Sequence, residues 1–174
     1  MSLKNLSATK IPKLFKDKLT IKRINQIYKK FEQSVKLNEN FAVAVSGGPD
    51  SLALAFLSKV YSIKKKLSPK FFIVDHKLRP ESTKEAKLVI KILKKYSINA
   101  KILTWQGKKP IKNIQSLARN KRLKLLFAES DKYKINNILF GQHQDDLLEN
   151  FFLRLFRGSG LKGLISLDKI NKFE

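Results

Sequence analysis

The chain has 174 residues, 43% of them hydrophobic, and carries 37 lysines and arginines against 14 aspartates and glutamates, a formal charge of +23. That is one domain in size, with enough apolar material for a core. No apolar run approaches the length of a membrane span, and Met1 to Lys18 lacks the apolar centre and cleavage site of a secretory signal, so a cytoplasmic protein with no membrane partner is expected. Cysteine is absent, which excludes disulfides, thiolate metal sites and thiol chemistry within these residues. The positive excess suits a polyanion, most simply a nucleic acid, although a general bias toward Lys, Ile and Asn could also supply it.

In chain order, residues 1–18 are polar and lysine-rich and are expected to be loosely ordered, with a single domain over 19–174. Leu19 to about Val35 has helical spacing. Phe41–Val45 is short, uncharged and partly β-branched, the pattern of a buried parallel strand. Ser46-Gly47-Gly48-Pro49-Asp50-Ser51 follows, and a helix is expected over about 51–64. A strand that turns through two glycines into a helix start can hold a phosphate, because the backbone approaches the anion closely and the unpaired N–H groups point at it. Pro49 suits the first helical turn.

The loop lacks the terminal lysine of G-x-x-x-x-G-K-[ST] and the third glycine of the dinucleotide fingerprint. An acid there repels phosphate unless a cation intervenes. Asp50 therefore suggests a Mg²⁺-nucleotide or a catalytic carboxylate, with an ordinary helix-start aspartate as the competing explanation.

Lys70–Val74 forms the second strand and delivers Asp75 and His76 to its carboxyl end. Ser82-Thr83-Lys84-Glu85 has the spacing of a capping box opening a helix to about Tyr96. A third strand is expected over 100–105, a helix from Asn113 to about Ser130 and a fourth strand over 137–140. On the 113–130 helix Gln115 and Arg119 share a face, while Leu117, Leu123 and Leu126 fit a core. A last helix, 145–156, starts at His143-Gln144-Asp145-Asp146 and ends at Gly158. The aspartate pair suits an N-cap, a Mg²⁺ site or an amine base, and His143 suits a base or a phosphate contact. Gly158 and Ser159 form either a C-cap or a second phosphate turn.

Only six arginines occur, and apart from Arg23 they lie in or beside these blocks: Arg79, Arg119, Arg122, Arg154 and Arg157. In a chain that otherwise uses lysine, this placement points to phosphate or base contacts that need a planar, bidentate donor. Arg122 could instead snorkel from its helix. Alternating strands and helices imply a doubly wound α/β fold, a parallel sheet with helices on both faces and a ligand crevice outside the strand carboxyl ends. The loop at 46–51, Asp75-His76 and 141–146 all fall on that edge.

Ser46-Gly47-Gly48-Pro49-Asp50-Ser51 resembles the PP-loop of ATP pyrophosphatases, which cleave ATP between the α and β phosphates. With Val74–Ser82, Gln115–Arg119, His143–Asp146 and Arg154–Gly160 in this order, the chain resembles the tRNA(Ile)-lysidine synthetase family. The resemblance implies an adenine nucleotide alpha-hydrolase-like fold and a ligase that uses ATP and Mg²⁺. Its substrates would be free L-lysine and a tRNA(Ile) with a CAU anticodon. ATP would adenylate the C2 oxygen of the wobble cytidine, and the lysine amine would then displace AMP, changing the codon read from AUG to AUA.

The resemblance also assigns roles. Ser46, Gly47, Gly48, Pro49, Asp50, Ser51, Asp75 and His76 would bind ATP, with Asp50 on Mg²⁺. Asp50, Arg119, His143, Asp145 and Asp146 would be catalytic. Arg79, Arg122, Arg154, Arg157, Gly158 and Ser159 would bind tRNA. Members generally continue past this point, so a C-terminally truncated domain is expected; a homodimer is left open. Two alternatives stand beside this one: a PP-loop tRNA thiolase, and a basic RNA-binding module without catalysis.

Overall fold

The computed structural model describes residues 11–107 and 112–141. The elements run α1 (Lys13–Leu19), α2 (Lys22–Ser34), β1 (Ala42–Ala44), α3 (Pro49–Lys65), β2 (Lys70–Asp75), α4 (Ser82–Lys94), β3 (Ala100–Thr104), α5 (Ile114–Asp131) and β4 (Ile138–Phe140). The four described strands form one parallel sheet in the order β3-β2-β1-β4, with Ala44 opposite both Phe72 and Phe140.

Strand alternation builds two apolar layers. Phe41, Val43, Val45, Phe71 and Ile73 face one side, where α1 to α4 bring Phe15, Tyr28, Ala55, Val60, Tyr61, Ala86, Val89 and Leu93. Ala42, Phe72 and Leu103 face the other, against Leu126 of α5 and Ile135. Both faces of the sheet are covered, as an all-parallel sheet requires. The expected α/β fold with helices on both faces is therefore present. Among the described residues, the expected strands and helices from 41 to 140 fall within three residues of their observed ends.

The N-terminal region departs from expectation. Residues 13–18 belong to a helix rather than a loose leader. One aromatic accounts for this: Phe15 is only 1% exposed and its ring lies 5.3 Å from Phe56 and 6.4 Å from Tyr96, while the lysines around it point outward. A break at Thr20 and Ile21 then separates α1 from α2, where one helix from Leu19 is expected. Ile21 adopts an extended conformation, and the Thr20 hydroxyl donates to Asp17 O at 2.6 Å.

No described helix is long and apolar enough to cross a membrane. Residues 142–174, and with them the expected last helix, lie outside the described residues.

Candidate nucleotide-binding site

The connections reverse direction between β1 and β4, because β2 and β3 add to one side of β1 and β4 to the other. In such sheets the crevice at the carboxyl ends of the two diverging strands takes the ligand. The 46–51 loop leaves β1 at that point and Gly141 leaves β4 beside it.

Local chemistry fixes the loop. Gly47 has φ +95°, open to glycine and strained for other residues, and a Cβ there would stand 2.6 Å from Val89 Cγ2 of α4. Gly48 caps α3 and Pro49 occupies its first turn, leaving the helix-start N–H groups without a side-chain cap. Ser51 is 2% exposed and organises the turn. Its Oγ lies 3.2 Å from Ser46 N, 3.1 Å from Ser46 Oγ, 3.0 Å from Gly47 N and 2.9 Å from Gly48 O. Ser46, Gly48, Pro49 and Asp50 stay exposed. From the β4 side, a Cβ on Gly141 would fall 2.8 Å from Ser51 Cα, so only glycine lets the two segments approach this closely.

Asp75 sits at the end of β2, 2% exposed, and both its oxygens are engaged by the chain. Oδ1 accepts from Lys77 N–H at 2.9 Å and from the Ser82 hydroxyl at 2.8 Å, and Oδ2 accepts from the Thr83 hydroxyl at 2.6 Å. Burial alone would raise its pKa, but these bonds outweigh burial and hold the carboxyl below its ordinary range. The expected capping box is thereby corrected. Helix α4 has no side-chain cap, and Glu85 pairs with Arg79 at 2.9 Å rather than reaching back. His76 lies edge-on to Trp105 with ring centroids 6.2 Å apart.

On α5 the sheet-facing stripe runs from buried Leu126 through half-buried Arg122 to exposed Arg119 and Gln115 toward the helix start. Arg122 Nε is buried and has no hydrogen-bond partner among the described residues. Burial, with Arg119 nearby, pushes its guanidinium below the usual range. An orphaned guanidinium nitrogen of this kind suits an anion. Leu117, expected in the core, is 44% exposed. Arg79 is exposed, so its pair with Glu85 can be exchanged at little cost.

No cluster of three His, Asp or Glu among the described residues would hold a metal by itself. Asp50 offers one carboxylate in the first turn of α3, which suits a Mg²⁺ carried mainly by nucleotide phosphates and water. His143, Asp145, Asp146, Arg154, Arg157, Gly158 and Ser159 lie outside the described residues. Sequence reasoning placed Gly141 on this edge but missed Val89 and the pair Ser82 and Thr83 as supports; Val89 carried no signal.

A glycine loop at a strand-to-helix turn, set at the switch point of a parallel sheet, defines a nucleotide-binding α/β domain. The family model of the PP-loop domain matches residues 17–174, and the chain belongs to that family. It is 43% identical over 136 residues to a tRNA(Ile)-lysidine synthase of Orientia tsutsugamushi, covering 78% of this chain and 30% of that one. Over 133 residues it is 44% identical to the tRNA(Ile)-lysidine synthase of Wolbachia pipientis, covering 75% and 31%. The chain thus spans about a third of the length of the curated relatives it matches. Among solved structures, the U34-tRNA thiolase NcsA from Methanococcus maripaludis with its [4Fe-4S] cluster matches with a TM-score of 0.71 at 22% identity, covering 82% of this chain and 53% of that one. That likeness supports the adenine nucleotide alpha-hydrolase-like fold. The resemblance read from the sequence segments is borne out by the family model and the relatives.

Proposed function

We propose that the chain is the ATP-using part of a tRNA(Ile)-lysidine synthetase, joining free L-lysine to C2 of the wobble cytidine. The observation that carries this reading is the 46–51 loop: glycine amides and a helix start aimed into the switch-point crevice, ending in Asp50 where a phosphate-reaching lysine would otherwise stand. The lysidine synthase names of its relatives supply the acceptor and the amine.

In this reading Ser46, Gly47 and Gly48 bind the phosphates, and Mg²⁺ held by Asp50 would neutralise their charge. The cytosine C2 oxygen attacks the α-phosphorus, the α–β bridge breaks and pyrophosphate leaves. Arg119, exposed at the crevice end of α5, stabilises that departing charge. Free lysine, with an amine pKa of about 10.4, is protonated at neutral pH, so Asp145, Asp146 or His143 takes a proton before attack. The amine nitrogen then bonds to C2 and the C2–O bond breaks, releasing AMP. Arg79, Arg122, Arg154 and Arg157, with Gly158 and Ser159, hold the tRNA backbone.

The test is transfer of labelled lysine to unmodified tRNA(Ile) in the presence of ATP. Lysine-labelled tRNA is expected from the wild type and none from Asp50→Ala. Equal labelling by both would remove Asp50 from the reaction.

A further inference from the structure

We propose that Ser82 and Thr83 are positioning residues that shape the nucleotide crevice through Asp75. This rests on reading the crevice as the nucleotide site. Ser82 and Thr83 are the first two residues of helix α4, just past its N-cap Glu81, and both hydroxyls donate to one carboxylate, at 2.8 and 2.6 Å. Asp75 is 2% exposed, and a buried carboxylate left short of donors is costly, so these two bonds tie the helix start to the end of β2.

The same carboxylate accepts the Lys77 N–H at 2.9 Å, and Lys77 adopts φ +50°, a conformation that a lysine holds only when its surroundings impose it. Three donors therefore fix the turn after β2, and with it the start of the segment bearing His76, Leu78 and Arg79. Seven residues beyond Ser82, two turns along the same face, Val89 lies under Gly47. Helix α4 thus locks the 76–81 segment at its start and supports the glycine loop two turns later. Whatever moves the first moves the helix on which the second rests.

The experiment compares Thr83→Val, Thr83→Ser and the milder Ser82→Ala with the wild type. Two readouts are taken: hydrogen exchange at the Lys77 amide in the protein without nucleotide, and ATP binding by titration. Loss of one hydrogen bond to a buried charge corresponds to about tenfold or more. Thr83→Val is expected to exchange Lys77 about tenfold faster and to bind ATP about tenfold more weakly, with core amides of β1 and β2 unchanged. Thr83→Ser is expected to restore both, and Ser82→Ala to show a smaller loss in each. Wild-type exchange and binding in Thr83→Val would overturn the proposal, as would equally accelerated exchange across the whole sheet in both Thr83→Val and Ser82→Ala. If the wild type bound no ATP, the functional reading would fall, and Lys77 exchange would still decide whether the clamp exists.

Discussion

Replacing Gly47 by alanine separates the two demands made on that position. The first is conformational: at φ +95° a residue with a Cβ is strained by about 1–2 kcal/mol. The second is steric, since the new Cβ would stand 2.6 Å from Val89 Cγ2. Val89 is a stiff, β-branched residue 7% exposed in the core, and forcing it off its rotamer costs about 0.5–1.5 kcal/mol more. Gly47→Ala should therefore destabilise the domain by about 2–3 kcal/mol. It should also displace the loop and weaken ATP binding at least tenfold. Val89→Ala removes the opposing methyl, so the double variant should be less unstable than the sum of the singles by about 1 kcal/mol. Urea denaturation of all four proteins, with ATP titration alongside, measures that coupling. Additivity within about 0.3 kcal/mol would refute the argument that α4 supports the loop.

Ser51→Ala removes the hydroxyl that gathers Ser46, Gly47 and Gly48, so ATP affinity should fall by about 1–3 kcal/mol in a titration while the sheet stays folded. Phe15→Ala should cost about 3–5 kcal/mol in thermal or urea denaturation, because one ring docks α1; a loss under about 1 kcal/mol would mean α1 is not part of the folded unit. Glu129 is buried between Lys101 at 2.6 Å and Lys132 at 3.0 Å; the Lys101 hydrogen bond, more than offsetting burial, holds its carboxyl below the ordinary range. A depressed folded-state pKa contributes stability above the unfolded value, and that stability is lost as pH falls through the folded value. Denaturation below about pH 5 should therefore show a shallower acid limb in Glu129→Gln than in the wild type.

The parts of the fold that could be read from sequence were those with local, repetitive signals. Phe41–Val45 and Lys70–Val74 alternate over two buried faces, and the two glycines before Pro49 mark a turn whatever surrounds it. The loop, Asp75 and Gly141 thus reached the carboxyl edge of the sheet as expected. Long-range choices were not legible. A lysine-rich leader becomes a helix because Phe15 meets Phe56 and Tyr96, partners far away in sequence. Ser82 and Glu85 have capping-box spacing, yet α4 begins one residue earlier with Glu81 as its N-cap, and Ser82 in the first turn bonds the buried Asp75 instead. Leu117 is a misreading of a local signal: nine residues before Leu126, it falls two and a half turns away, on the side of α5 opposite the buried stripe, and is 44% exposed.

The central claim is that the 46–51 loop presents ATP for cleavage between its α and β phosphates. The most direct test identifies the products formed from ATP in the presence of unmodified tRNA(Ile) and lysine. AMP and pyrophosphate in equal amounts, lost in Asp50→Ala, are the predicted result; ADP and inorganic phosphate would contradict it.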